Sequence, residues 1–428
     1  MNKIFDVCII GAGAAGIASA IESSRRGLSC VVVDKNKKPC MKLYATGNGR
    51  CNLTNDTWEE DTYYGNEFVD LVFDNLYNKT GLRQRSFIID YMNRLGVRTV
   101  NKNGYIYPAS LQASTVAWAL TDAAKCYGTQ FINRFEVKSI SKNIPPQLEA
   151  FVNNSNASVY EIKGDVSANG ETAESIIYAR SLIITTGGLS QSKLGAATYD
   201  TQSSVLNALR APIRDFKPGL CQVFVSTDLE AISGVRTACH VSVNGHSEAG
   251  ELQITDNGLS GIVIFNMSYY INPGDDIKIN LIPGVSEEAF LEFFTNTQKS
   301  FPDRSLVAFL NGYINDKLAS YFTHKFYGDI PLKLRDVTTT GILGLYHELC
   351  SWELIVTSKA GFDNSQASIG GIVTKYINPD TMKLNSDVTI GDNIHVAGEV
   401  TDVIGKCGGY NLTYAFISGY LAGRSVLR

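Results

Sequence analysis

The sequence has no uninterrupted apolar run approaching the roughly 18 residues of a membrane-spanning helix. It also has no Cys-x-x-Cys pair. Its nine cysteines are odd in number and scattered, which argues against a disulfide framework and for a reducing, cytoplasmic setting. Cys40 and Cys51 lack the spacing of a redox dithiol and read as structural or cofactor-lining thiols. Histidine is scarce, at five residues, and none is grouped with cysteine at zinc spacing, so no metal site is expected. Charge of one sign is lacking too. Against 42 acidic residues stand 38 basic ones, a formal net charge of −4. With no basic, aromatic-interleaved patch, neither nucleic acid nor a membrane is an expected partner. What is present is ordinary for a globular chain: 428 residues, 44% hydrophobic and 19% charged, enough for two or three domains.

The most informative stretch is Gly11-Ala12-Gly13-Ala14-Ala15-Gly16. A buried strand (5–10) precedes it, a helix (14–26) follows, and a second β-branched strand ends in Asp34, 23 residues beyond Gly11. This is the order of a dinucleotide-binding βαβ unit. Gly11 permits the turn, Gly13 lets backbone approach a pyrophosphate, and Gly16 lets the helix pack on the strand. The N–H groups of the helix N-terminus face the phosphates. Asp34 can accept from ribose hydroxyls. Lys3 before an apolar stretch with Ala-x-Ala has the outline of a signal peptide, but Asp6 and the turn-spaced glycines argue against cleavage.

A basic loop comes next, with Lys35, Lys37, Lys38, Lys42 and Arg50 among turn-forming residues, suited to neutralising an anion. Helices are expected at 67–76, 82–95 and 114–127, with a strand pair around Asn103-Gly104. A strand at 129–140 carries Val137 towards an adenine, and a β-meander spans 144–178. Ser181 to Ile184 is a buried strand running into Thr185-Thr186-Gly187-Gly188.

From 191 to about 360 the character changes. Strands with turns at Asn244-Gly245, Asn257-Gly258 and Pro273-Gly274 suit a small barrel. Helices are expected at 287–297, 305–321 and 338–350. His240, His246, His324 and His347 are widely spaced here, and none stands out as a catalytic base. The chain then returns to cofactor chemistry. A strand ends in Gly398-Glu399, and Gly405, Gly408 and Gly409 lead through Asn411 into an apolar helix from Leu412. That helix N-terminus could stabilise negative charge on a reduced ring.

The segments GAGAAG, KLYATGNGRCNLTN, TTGG, GGIV and HVAGEVTDVIGKCGGYNLTYAFISGYLAG resemble one bacterial flavoprotein family over essentially the whole chain. It is the three-domain family of bile-acid-reductase-like (BaiN-type) and aminoacetone-oxidase-like proteins. The resemblance implies an α/β fold: a Rossmann-like FAD-binding domain, split in sequence, with an inserted β-barrel and helical subdomain. The boundaries expected are 1–190 and 363–428 for the FAD domain, 191–285 with 351–362 for the barrel, and 286–350 for the helices. Carried over, Gly11, Gly13, Ala14, Ala15 and Gly16 would hold the pyrophosphate of FAD. Asp34 and Lys35 would hold the ribose, and Val137 would meet the adenine. Thr186, Gly187 and Gly188 return the chain to the cofactor. Lys42, Thr46, Gly47, Arg50, Cys51 and Asn52 would line the ribityl and ring side, and Gly398, Glu399, Gly409, Asn411 and Leu412 the flavin end.

The insert departs from the family. Thr255-Asp256-Asn257 stands where Thr-His is frequent, Ile262 replaces a proline, and the stretch at Ala196-Ala197-Thr198 and Arg210-Ala211 is altered. The reading is an FAD-dependent oxidoreductase that exchanges hydride at flavin N5 with a small-molecule substrate or a visiting NADH or NADPH. Its catalytic side chain is not identified. The alternatives are an amine oxidase using oxygen, a nucleic-acid-modifying flavoprotein and a non-catalytic flavin sensor.

Overall fold

A computed structural model describes residues 3–65, 67–142, 159–168, 171–194 and 199–427. The altered stretch at 196–198 and part of the expected meander lie outside these. The chain divides into two compact units, Met1–Pro218 with Gln366–Arg428, and Gly219–Ser365.

Among the described residues, seven strands of the first unit form one sheet. At its centre lies the strand Ile4–Ile10, parallel to Cys30–Asp34 on one side and to the end of Glu171–Ile184 on the other. Val7 to Ile10 and Cys30 to Val33 are all buried, as expected of parallel strands covered on both faces. Gln130–Asn133 extends one edge. Glu171–Ile184 is a single 14-residue strand rather than a meander followed by a separate strand. Its early half pairs antiparallel with Tyr160–Ala168, and its last three residues pair parallel with Ile394–Val396. Register therefore delivers the C-terminal segment beside the first strand's immediate neighbour.

The helix Ala14–Arg25 packs on the terminal helix Tyr410–Ser425 through residues without bulk. A side chain at Gly419 would lie 2.3 Å from the Ala15 carbonyl oxygen, and one at Gly423 2.4 Å from that of Ser19. In return Ser19 and Ser23 donate to the Gly419 and Gly423 carbonyls at 3.0 and 3.1 Å. The terminal helix starts at Tyr410, two residues before the expected Leu412, with Gly409 in the left-handed region at φ 93°.

Two expectations need correction. Residues 191–218 belong to the first unit, not the insert. The reason is a helix at Tyr199–Leu209 whose Val205, Leu206 and Leu209 are buried in the first core. The helix expected at 305–321 is broken into Leu306–Leu310 and Asp316–Tyr327, because the Asn315 side chain accepts from the Lys317 amide and caps a new start at Asp316.

In the second unit, six described strands close a barrel. Around it run Val223–Val225, Gly258–Ser260, His246–Thr255, Arg236–Val243, Asp276–Asn280 and Trp352–Lys359. Barrel residues such as Val241, Ile254 and Trp352 share one core with Phe290, Phe322 and Leu345 of the helices. Barrel and helical segment are thus a single unit.

Candidate functional site

The glycine turn has the geometry its residue types require. Gly11 has φ +106°, and a side chain there would meet the Thr185 carbonyl oxygen at 2.4 Å. A side chain on Gly16 would lie 1.9 Å from the Gly11 carbonyl oxygen, so Gly16 is a packing residue and leaves the cavity wall to others. At Gly13 there is nothing within 4 Å of that position. Gly13 also begins the helix Ala14–Arg25, whose first turn carries no side-chain cap and no acidic residue. Its N–H groups therefore face open space.

That space is a cleft lined by both ends of the first unit's sequence. Gly11, Gly13, Ala14 and Ala15 form one wall, with Asp34, Lys42 and Thr46 beside them. Thr186, Gly187 and Gly188 enter from the long strand, and Gly398, Glu399, Asn411 and Leu412 from the C-terminal segment. A smaller cavity shares Gly11, Asp34 and Thr186, and adds Lys35 and Val137.

Asp34 is braced rather than free. Its two carboxylate oxygens accept from the Ala12 and Asn36 amides at 2.6 and 2.7 Å. Burial raises its pKa, and those amides oppose the rise. The Asn36 side chain also hydrogen-bonds this carboxylate and opposes the rise. Burial likewise lowers the pKa of Lys35, against the pull of Asp34 and Glu136.

Lys42 is already neutralised. Its ammonium sits 2.7 and 3.0 Å from the Glu399 oxygens. Glu399 also accepts from the Ser368 amide at 2.9 Å, and the Ser368 hydroxyl receives the Leu189 and Ser190 amides. The pair joins the loop after the second strand to the C-terminal segment. Asn411 uses its amide on Gly405, accepting from its N–H and donating to its carbonyl, which ties down the glycine-rich loop.

Besides Gly16, five of the expected ligand residues, Gly47, Arg50, Cys51, Asn52 and Gly409, lie away from the cleft. Arg50 and Gly47 are exposed. Cys51 is fully buried, and burial pushes its thiol up to about 12. Asn52 and Gly409 face each other: a side chain on Gly409 would meet Asn52 Oδ1 at 3.0 Å and the Thr54 amide at 2.8 Å. Asn52 and Thr54 therefore pack against the start of the terminal helix. Gly409 itself closes that contact, so it too leaves the lining to Asn411 and Leu412. Of the histidines in the second unit, His246 stacks on Tyr270, and His324 and His347 pair with Asp329 and Glu287 at the surface.

Sequence reasoning missed Gln202, Tyr414, Gln366 and Met41, all cavity-lining. Gln202 had a legible signal. It heads an i, i+3, i+4, i+7 stripe with Val205, Leu206 and Leu209, where a polar residue is out of place. The hydroxyl of Thr186 and the carbonyl oxygen of Gln202 are both buried without a partner. An uncapped helix end, an open glycine and orphaned buried polar atoms fit a bound dinucleotide.

Comparison with known proteins agrees with this architecture. The HI0933-like protein Rossmann domain family matches residues 5–425. The chain belongs to that family. A 3-dehydro-bile acid delta(4,6)-reductase of Clostridium scindens is 27% identical, over 99% of each chain. A ribosomal RNA dihydrouridine synthase of Escherichia coli is also 27% identical, over 99% of this chain and 98% of that protein. Among solved structures, a 3-ketosteroid-delta4-(5alpha)-dehydrogenase of Rhodococcus jostii aligns with 100% of this chain and 97% of its own. Its TM-score is 0.47 at 14% identity. No helix of the described residues is long and apolar enough to cross a membrane.

Proposed function

We propose that this protein is an FAD-dependent oxidoreductase acting on a small organic molecule. The observation that carries the reading is the single cleft into which the N-terminal glycine turn and the C-terminal segment both open. When bound, FAD would supply a hydride donor or acceptor at flavin N5. The first turn of the Ala14–Arg25 helix would hold the pyrophosphate through its free N–H groups. Asp34 would orient the ribose while bracing the glycine turn. Lys42 and Glu399 would keep a proton inside the cleft, at Lys42 Nζ. The first turn of the terminal helix, locked by Asn411 on Gly405, would present its positive end to developing negative charge.

The direction we favour is reduction, since the names of the two relatives both describe reductions. NADH or NADPH would deliver the electrons directly, because the sequence has one full glycine fingerprint. The nine cysteines are scattered and none is in a disulfide, which supports a reducing compartment. Purified protein should carry or rebind FAD. Anaerobic mixing with NADH, NADPH and amines, followed by flavin bleaching, separates a reductase from an amine oxidase. Protein that is colourless and takes up no FAD refutes the reading.

A second reading, reduction of a base in RNA, has the name of the Escherichia coli relative in its favour. The net charge of −4 opposes it. Salt-sensitive RNA binding by the purified protein would decide for it.

A further inference from the structure

We propose that Gln202 is a specificity-determining residue for the adenosine half of the dinucleotide, accepting a hydrogen bond from it at Oε1. The inference rests on the FAD reading and adds a residue from a helix outside every motif of that reading. Gln202 is 2% exposed and lines the smaller cavity with Asp34, Val137 and Thr186. Lys42 and Glu399 do not line that cavity, so Gln202 faces the ribose-and-base end.

The orientation of the side-chain amide is determined. Nε2 donates to the Gly187 carbonyl at 2.8 Å, and the flipped amide would set two oxygens against each other. Oε1 is left buried and unpartnered. Leaving such an acceptor unpaired is expensive, and the expense is recovered if a ligand donor reaches it. Ile10, Val33, Phe135, Val137 and Val205 supply apolar walls around it. A cavity with apolar walls and a few placed polar groups suits a flat base or its sugar. Adenosine offers two kinds of donor, its exocyclic amine and its ribose hydroxyls.

The test uses the full chain freed of bound nucleotide, as wild type and as Gln202→Leu. Each is titrated with FAD, ADP, IDP, and 2′- and 3′-deoxy-ADP, by calorimetry or fluorescence. IDP lacks the amine, and each deoxy compound lacks one hydroxyl. The expected result is a loss of about tenfold to a hundredfold in FAD and ADP affinity in the variant. The wild type should also prefer ADP to one of the three analogues, and that preference should vanish in the variant. Unchanged ADP affinity, or a preference that survives intact, overturns the proposal and leaves Gln202 as a brace for Gly187. If Gln202→Leu fails to fold, Gln202→Met replaces it. Equal wild-type affinity for ADP and all three analogues also overturns it. Wild-type protein that binds neither FAD nor ADP refutes the FAD reading itself, and this inference with it.

Discussion

Replacing Gly13 and Gly16 separately with alanine should separate ligand binding from folding. At Gly13 the backbone is extended, φ −80° and ψ −171°, which alanine adopts freely. An added methyl meets nothing within 4 Å. Alanine is a poorer helix N-cap than glycine, at a cost of about 0.5–1 kcal/mol. The stiffer unfolded chain returns about 0.4–1 kcal/mol. The two nearly cancel, so Gly13→Ala should unfold within about 0.5 kcal/mol of wild type. The methyl instead occupies the open space in front of the helix N-terminus, and FAD affinity should fall about tenfold or more. At Gly16 the balance reverses. The methyl would lie 1.9 Å from the Gly11 carbonyl oxygen and 2.6 Å from Thr185 Oγ1, so helix and turn must separate. Overpacking of this kind costs about 1–3 kcal/mol. Urea unfolding of the nucleotide-free protein, with FAD titration of each variant, measures both effects. The reasoning is refuted if Gly13→Ala loses as much stability as Gly16→Ala, or binds FAD as tightly as wild type.

Glu399→Gln should change stability by less than about 1 kcal/mol, because the pair with Lys42 is part-exposed, and slow flavin reduction about tenfold or more in anaerobic stopped flow. His395 is buried, donates from Nδ1 to the Thr381 carbonyl, and has its pKa lowered by burial to about 4. The unfolded chain then binds the extra proton first, so stability is complete above about pH 6.5 and falls as pH drops towards 4, by roughly 3 kcal/mol in all. Urea unfolding between pH 7 and 4.5 should show this slope, and His395→Gln should flatten it. Gly419→Val drives its side chain into the Ala15 carbonyl and should lose about 2 kcal/mol or more together with FAD binding. Six of the nine cysteines are buried, so a thiol reagent should modify Cys126 fastest in the native protein and Cys8, Cys40 and Cys51 only on unfolding.

The first 34 residues were legible because their information is local. Glycine positions, a β-branched run and a terminal acid each act within a few residues, and the structure places strand, turn and helix where those patterns put them. The return of the C-terminal segment was legible in kind, as a second glycine-rich helix entry. Its partner was not, since the Gly419 and Gly423 contacts with Ala15 and Ser19 span some 400 residues of sequence. The loop from Gly47 to Asn52 shows the opposite limit. Its composition reads as ligand-binding, and the structure sets Asn52 Oδ1 against Gly409 and leaves Arg50 exposed.

By itself the sequence determined the βαβ unit, the split of the cofactor unit around an insert, and the acid at the end of the second strand. These follow from periodicity and backbone freedom, which a chain expresses before it folds. Only the tertiary structure decided which polar groups were consumed and which were left over. Asp34 was committed to two backbone amides, Lys42 to Glu399 and Asn411 to Gly405, while Thr186 and Gln202 kept an unpartnered oxygen each. The reason is that a hydrogen bond is a property of two groups brought together in space, and sequence position names only one of them.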